Sequence, residues 1–180
     1  MVENENTLGG SYMRAPAICI VVLGQMLMAN AALAQPQDPD ANSATAFCDF
    51  EDTQEISVRY NNAASKDEPR NGKVWLPGGK PLTLFAGAQV SFNNTPIPAA
   101  AYSLYIIPNR KDWTLVVNKN VTPGAAYDQT QDVARGPMEL GEVDSPPGQF
   151  QVSFAHTAAK TCSIRLYYGK IGAFADFVEK

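Results

Sequence analysis

The pattern of apolar and polar residues along the chain is that of short β-strands separated by turns. Its clearest stretch is Ala101–Lys119, where two runs of aromatic and β-branched residues flank a polar turn at Pro108–Asp112. Such residues suit a pleated, half-buried surface, and proline is expected to end the first run because it cannot donate to a strand ladder. The first run, Tyr102–Ile107, is apolar on both faces, which predicts a central strand.

Further short runs on both sides of this hairpin predict more strands, because they are apolar or alternating and lie between turn signals. They are Ala46–Phe50, Glu55–Tyr60, Leu82–Phe85, Val90–Phe92, Phe150–Phe154 and Ser163–Tyr168. With the hairpin they amount to about eight short strands, and no amphipathic helix of useful length is visible. The predicted fold class is therefore all-β, an antiparallel β-sandwich or flattened barrel.

The segment Asn120–Gly148 breaks this pattern. It contains prolines, glycines and acids and has little periodicity, so it is interpreted mainly as an extended loop, with room for a short strand or helix around Gln131–Leu140. Loops of this length in a compact domain usually carry function or move. The tail from Gly169 to Lys180 is partly apolar and is expected to pack as a last strand or as coil.

The N-terminal segment has the features of a secretory signal peptide. Arg14 provides a short positive region, Ile18–Met28 forms an apolar core, and Ala32–Ala34 is a small-x-small cleavage site before Gln35. The apolar core is short for a membrane span, although an uncleaved anchor is the alternative. We therefore expect a periplasmic or secreted product that has no membrane contact after cleavage.

Cleavage at this site divides the chain into a signal peptide (1–34), a polar, flexible lead-in (35–45) and one β-sandwich domain (46–180). Residues 1–12 are polar and precede Met13, so they are interpreted as an over-extended start. N-terminal sequencing of exported material is expected to begin at Gln35. Material that still begins at residue 1 or 13 would contradict the signal peptide.

The cysteines predict one disulfide. Cys19 lies within the signal peptide, which leaves Cys48 and Cys162 in the mature chain. An even cysteine count in an exported protein is typical of a disulfide, and both residues share the apolar face of a predicted strand. Two buried free thiols are the alternative.

Charge and motifs exclude several classes of function. The formal net charge is -4 and no basic run is present, so nucleic-acid binding is not expected. The sequence has no metal-ligand spacing, and no phosphate loop, dinucleotide fingerprint or nucleophile-elbow motif. We therefore expect no metal, no cofactor and no catalytic residue. The only histidine, His156, is interpreted as structural or solvated.

The best candidate ligand-contacting group is Arg70, Lys73 and Trp75. An exposed tryptophan beside cations can stack on a sugar or help to bind an anion. The alternative is that Trp75 closes one end of the core while both cations are solvated.

Three segments resemble the bacterial exported proteins classed as domain of unknown function 2911. They are GKVWLPGG (Gly72–Gly79), PIPAAAYSLYIIP (Pro96–Pro108) and DWTLVVNK (Asp112–Lys119). That family carries a GKVWR-x-GA piece followed by an lPAGtYsLftiP and eWtvifNk piece. The similarity covers roughly Glu55–Tyr168. It implies the family's fold and export, and no activity can be carried over from it.

The chain departs from the family pattern at three places. Leu76 stands where the family has arginine, Gly78–Thr83 replaces a polar run, and Ala100 replaces a glycine. If the arginine and the polar run form the family's site, this chain has altered or lost it, and a mainly structural role is then a further possibility.

Two functional hypotheses follow. The preferred one is a non-catalytic binding module for an envelope component, a glycan or another protein. The alternative is an exported hydrolase whose site is built from the loops 61–79 and 120–148. One concave pocket that held His156 or a carboxylate pair from those loops would favour the hydrolase.

Overall fold

A computed structural model describes residues 42–63 and 67–180, and these residues are almost entirely β-strand. The strands are β1 (Ser43–Asp49), β2 (Glu55–Asn61), β3 (Leu82–Ala86), β4 (Val90–Phe92), β5 (Thr95–Ile97), β6 (Ala101–Pro108), β7 (Trp113–Asn118), β8 (Asp132–Glu142), β9 (Gln151–Ala158), β10 (Thr161–Tyr168) and β11 (Ile171–Glu179), with one 3₁₀ turn at Gln129–Gln131. The predicted signal peptide lies outside the described residues. Within them, no helix is long and apolar enough to cross a membrane.

The strands form one antiparallel sheet that curls into a nearly closed, barrel-like sandwich. Their order is β1-β2-β3-β6-β7-β8-β11-β10-β9, and β4 pairs with both β11 and β5. The predicted fold class is confirmed, although the strands are more numerous than expected. The prediction for Tyr102–Ile107 is also confirmed, because β6 lies between β3 and β7.

Strand β8 corrects the interpretation of Asn120–Gly148 as mainly a loop. Its first part pairs with β7 and its last part with β11, so β8 carries the sheet around a corner. A Cβ on Gly136 would lie 2.6 Å from Cβ of Asn93 and 2.8 Å from Cζ of Phe92. The glycine that interrupts the sequence pattern is therefore what lets β4 approach this strand.

The ends of the chain add strand that the sequence pattern under-predicts. β1 begins at Ser43, inside the predicted lead-in, and β11 occupies most of the tail. Between β4 and β5, Asn93 and Asn94 both have positive φ, at 47° and 61°. This is the backbone of a two-residue hairpin turn, as the asparagine pair predicts.

The core is formed by the inward-facing residues of both halves of the sheet. Among the largest fully buried side chains are Phe177, Ile56, Leu82, Leu84, Ile97, Leu104, Ile106, Leu115, Met138, Ile164 and Leu166. Burial of each such side chain stabilises the fold by about 1.5–3 kcal/mol relative to exposure.

The barrel closes where β1 meets β9, the two ends of the strand order. The predicted disulfide between Cys48 of β1 and Cys162 of β10 lies at this seam and is buried. The hydroxyl of Tyr60 donates to the carbonyl of Val152 at 3.4 Å. The disulfide thus joins β1 to β10, and this hydrogen bond joins β2 to β9. Neither pair of strands shares a ladder.

Replacing both cysteines (Cys48→Ala with Cys162→Ala) is expected to lower the free energy of unfolding by about 2–5 kcal/mol, because the disulfide closes a long loop in the unfolded chain. The two residues are separated by 114 positions. Urea unfolding of the oxidised wild type and of the variant measures the difference. Wild type reduced before unfolding should match the variant, and equal stability of the variant and the oxidised wild type would contradict the prediction.

Candidate ligand-binding site

One end of the barrel is built from four connections, 62–81, 109–112, 143–150 and 169–170. The antiparallel pairing brings these connections together. At this end of the barrel four strands finish, namely β2, β6, β8 and β10, and the strand after each of them begins. We call it the loop end. The connection 119–131, between β7 and β8, lies at the opposite end.

The segment 67–79 is anchored across the loop end by backbone hydrogen bonds. The amide of Trp75 donates to the carbonyl of Ile106 at 2.8 Å. The side chain of Asn61 donates to the carbonyl of Gly78 at 2.9 Å. Gly78 has a φ of +98°, and a Cβ there would lie 2.3 Å from the carbonyl oxygen of Asn61. Only glycine fits this crossing without displacing the backbone.

The ring of Trp75 lies in an aromatic cluster beneath this segment. Its centroid lies 5.4 Å from that of Trp113, 6.2 Å from Phe150 and 4.8 Å from Tyr168, all edge-to-face. Such pairs add about 0.5–1.5 kcal/mol each beyond area burial. The indole Nε1 donates to the carbonyl of Asp67 at 2.8 Å. The packing therefore fixes the segment from below.

Trp75 is only 3% exposed and lies in the hydrophobic core at the loop end. The structure thus shows the alternative given for this residue, in which it closes one end of the core, and it cannot offer a whole ring face to a sugar. Trp75 is nevertheless among the residues that line a concave surface. A ligand-contacting role for the three predicted residues stays a prediction.

That concave surface has a volume of about 370 Å³, and we call it the charged groove. Its lining includes Asp67, Glu68, Arg70, Lys73, Trp75 and Leu76. The structure therefore brings all three predicted residues into one groove, whose size falls within the range of about 300–1,000 Å³ for small-molecule sites. Within the described ranges neither cation has an ion-pair partner.

A second concavity of about 360 Å³ lies at the same end, and we call it the amide groove. It is lined by Tyr60, Asn62, Gln149, Phe150, Gln151 and the Pro147–Gly148 turn. None of the described residues that line it carries a charge. The sequence analysis did not identify this site, because its side chains come from two segments far apart in the chain.

The family model for a protein of unknown function, DUF2911, matches residues 42–175. The chain belongs to this family. The resemblance proposed from the three segments is thereby confirmed. No curated protein and no solved structure matches the chain.

In this DUF2911 protein the departures from the family pattern fall partly in the charged groove. Leu76, which stands where the resemblance leads us to expect an arginine, is half-buried and lines the groove together with Gly79. It gives the groove an apolar wall.

Among the described residues one of the two features expected for a hydrolase is present, because a carboxylate pair from loop 61–79, Asp67 and Glu68, lines the charged groove, while His156 lines neither groove. The predicted loop 120–148 is divided by β8, so that its first part lies away from the loop end. Asp67 and Glu68 line the charged groove but are neighbours in sequence. His156 is exposed on β9. No trio of His, Cys, Asp or Glu in the described part of the chain is placed to hold a metal.

A polar cluster lies around the buried Asn118, on the side of β7 and β8 that faces away from the core. The sequence analysis did not predict it. Asn118 is fully buried and donates to Oδ1 of Asp132 at 2.7 Å. Oδ2 of Asp132 accepts from the hydroxyl of Tyr127 at 2.8 Å and from Nε of Arg135 at 2.6 Å. Since the partners satisfy one another, the cluster fastens segment 119–131 to the sheet.

The register of β8 explains why this cluster is hard to predict. The pairing shifts between Val117 and Asn118, whose partners on β8 are Ala134 and Asp132. This bulge breaks the alternation of faces. It lets Asp132 and Arg135, three residues apart, form an ion pair.

The surroundings of three tyrosines alter their titration. Burial raises the pKa of Tyr127, and the hydrogen bond that its hydroxyl donates to Asp132 raises that pKa further. Burial also raises the pKa of Tyr105, whose ring centroid lies 4.7 Å from that of Tyr127, and the pKa of Tyr102.

These shifts predict a loss of stability at alkaline pH. The stabilisation by a group whose pKa is raised on folding is complete below the unfolded pKa, about 10 for tyrosine, and disappears as the pH rises through the folded value. Unfolding free energies measured in urea from pH 8 to 11 should fall above pH 10 for the wild type and less steeply for Tyr127→Phe. Parallel curves would contradict the role of Tyr127.

Proposed function

We propose that this DUF2911 protein is an exported, non-catalytic binding module whose ligand occupies the charged groove. The observation that carries the proposal is the pair of exposed cations, Arg70 and Lys73, which share one concavity and have no ion-pair partner within the described residues. Beside them the groove is lined by the buried Trp75 and has an apolar wall at the half-buried Leu76.

The lining indicates an acidic saccharide as the ligand. A guanidinium and an ammonium group bind carboxylate or phosphate oxygens through charge-assisted hydrogen bonds. Glu68, on the same surface, can accept hydrogen bonds from sugar hydroxyls. The apolar parts of the lining suit the C–H surface of a sugar ring. An acidic glycan of the cell envelope combines these properties, and the predicted export would place the protein beside it.

The hydrolase alternative lacks a comparable observation. A glycosidase needs two carboxyl groups on opposite sides of the scissile bond, about 5–10 Å apart. Asp67 and Glu68 are adjacent in the chain, and no carboxylate lines the amide groove. The described residues therefore favour binding over hydrolysis.

Replacing both cations (Arg70→Ala with Lys73→Ala) is expected to weaken binding of an acidic tetrasaccharide of alternating uronate and N-acetylglucosamine units by at least about tenfold, because hydrogen bonds to charged groups contribute about 1.5–3 kcal/mol each. Isothermal titration calorimetry at low salt measures the dissociation constant. Both residues are exposed, so the free energy of unfolding should not change.

A matched control replaces Arg110 and Lys111 with alanine. Both residues are exposed in the β6–β7 turn and line neither groove. Their replacement removes the same charge from the same end of the barrel. The control should bind like the wild type. Equal losses in both double variants would show that only overall charge matters, and unchanged binding in Arg70→Ala/Lys73→Ala would contradict the proposed site.

A further inference from the structure

We propose that the amide groove is a second binding site, one that takes an uncharged saccharide unit. The inference rests on the proposed function for one point, which is that the ligand is a glycan chain whose different units occupy the two grooves. Its own support is the chemistry of the lining, which differs from that of the charged groove.

Three side-chain amides face this groove, those of Asn62, Gln149 and Gln151. Each amide can donate through its NH₂ group and accept through its oxygen. In the part of the chain that the structure describes, none of the three makes a side-chain hydrogen bond to another residue. Their hydrogen-bonding capacity is therefore available to a ligand that both donates and accepts, as neighbouring sugar hydroxyls do.

The backbone aims two of these amides in one direction. Phe150 is 3% exposed and points into the core, while Gln149 and Gln151 on either side of it are exposed. This pattern of burial places both glutamines on the solvent side of Phe150. This spacing offers a pair of amides over one small area.

Two aromatic residues, both largely buried, lie among the residues that line the groove. The rings of Tyr60 and Phe150 pack edge-to-face with centroids 5.7 Å apart. The hydroxyl of Tyr60 is engaged with the carbonyl of Val152. A small apolar area bordered by donors and acceptors matches a sugar, which has C–H groups on its ring faces and hydroxyls around its edge.

The absence of charge in the lining selects against ionic groups. An anion would lose water in this groove without meeting a cation, which is costly. Peptide groups are the other uncharged partners that amides can bind. Isolated side-chain amides fit them less well than a strand edge does, because peptides are usually bound by main-chain hydrogen bonds along such an edge.

The two grooves are neighbours at the loop end. Phe150 lines the amide groove, Trp75 lines the charged groove, and the ring centroids of these residues are 6.2 Å apart. A glycan of a few units can therefore reach both grooves, with an acidic unit beside Arg70 and Lys73 and a neutral unit beside the glutamines.

The test compares a neutral N-acetylglucosamine tetramer with the acidic tetrasaccharide by calorimetry. Gln149→Ala with Gln151→Ala should raise the dissociation constant of both ligands by about tenfold, because each lost hydrogen bond costs a factor of about two to ten. Arg70→Ala with Lys73→Ala should weaken binding of the acidic ligand alone. A matched control, Gln54→Ala with Gln89→Ala, removes two exposed amides at the opposite end and should change neither constant.

Several results would overturn the inference. One is that the wild type does not bind the neutral tetramer, and another is that the glutamine variant binds it unchanged. A third is that an acetylated and amidated tetrapeptide binds more tightly and is not displaced by the neutral tetramer. The last result would assign the groove to peptides. If neutral binding depends on the glutamines but acidic binding is insensitive to Arg70 and Lys73, the charged groove fails and the amide groove stands.

Discussion

The packing of Trp75 is the interaction on which the loop end depends. Its amide joins the segment 67–79 to β6, its indole nitrogen holds the backbone at Asp67, and its ring contacts Trp113, Phe150 and Tyr168. Because the ring is buried, the segment cannot move away without opening the core. Trp75 therefore covers the core at the loop end and holds one wall of the charged groove in place, which limits the entropy that a ligand must remove on binding.

The three segments that carry the family resemblance have different tasks in the structure. GKVWLPGG (Gly72–Gly79) forms one side of the charged groove. The other two supply β6 and β7, whose inward residues build the core and whose outward polar residues join the surface network. In that network Ser103 donates to the carbonyl of Asn120 at 2.8 Å, and Asn118 holds Asp132. The departure at Leu76 thus alters a groove wall and leaves the scaffold intact.

The sequence predicts well those strands in which apolar and polar residues alternate and the apolar face packs on the core. In Glu55–Tyr60 and Trp113–Val117 this alternation predicts which residues face the core. The disulfide is predicted because Cys48 and Cys162 both lie on the apolar face of a strand. Strand β8 is predicted only as a possible short strand or helix around Gln131–Leu140, because Gly136 and Pro137 look like loop residues in sequence. In the structure Gly136 makes room for a close packing contact with Phe92 and Asn93, and Pro137 pairs with Thr114.

The sites are predicted only in part, for a physical reason. Arg70, Lys73 and Trp75 are close in sequence, so their proximity is visible, but the burial of Trp75 depends on partners from β7, β10 and the segment before β9. The amide groove pairs Asn62 with Gln149 and Gln151. Only the closure of the barrel, which packs Tyr60 of β2 against Phe150 and Val152, brings these residues together, and no local pattern encodes that packing.

The most direct test of a glycan site at the loop end is a nuclear magnetic resonance titration of the protein with the acidic tetrasaccharide. We expect the backbone amide signals of 70–76 and 149–151 to shift together and saturably, while those of the polar cluster at 127–135 stay in place. Phe47 and Phe85 are the most exposed phenylalanines of the described chain and lie on a different surface, the outer face of β1 to β3. Shifts confined to that face, or none at all, would contradict a glycan site at the loop end.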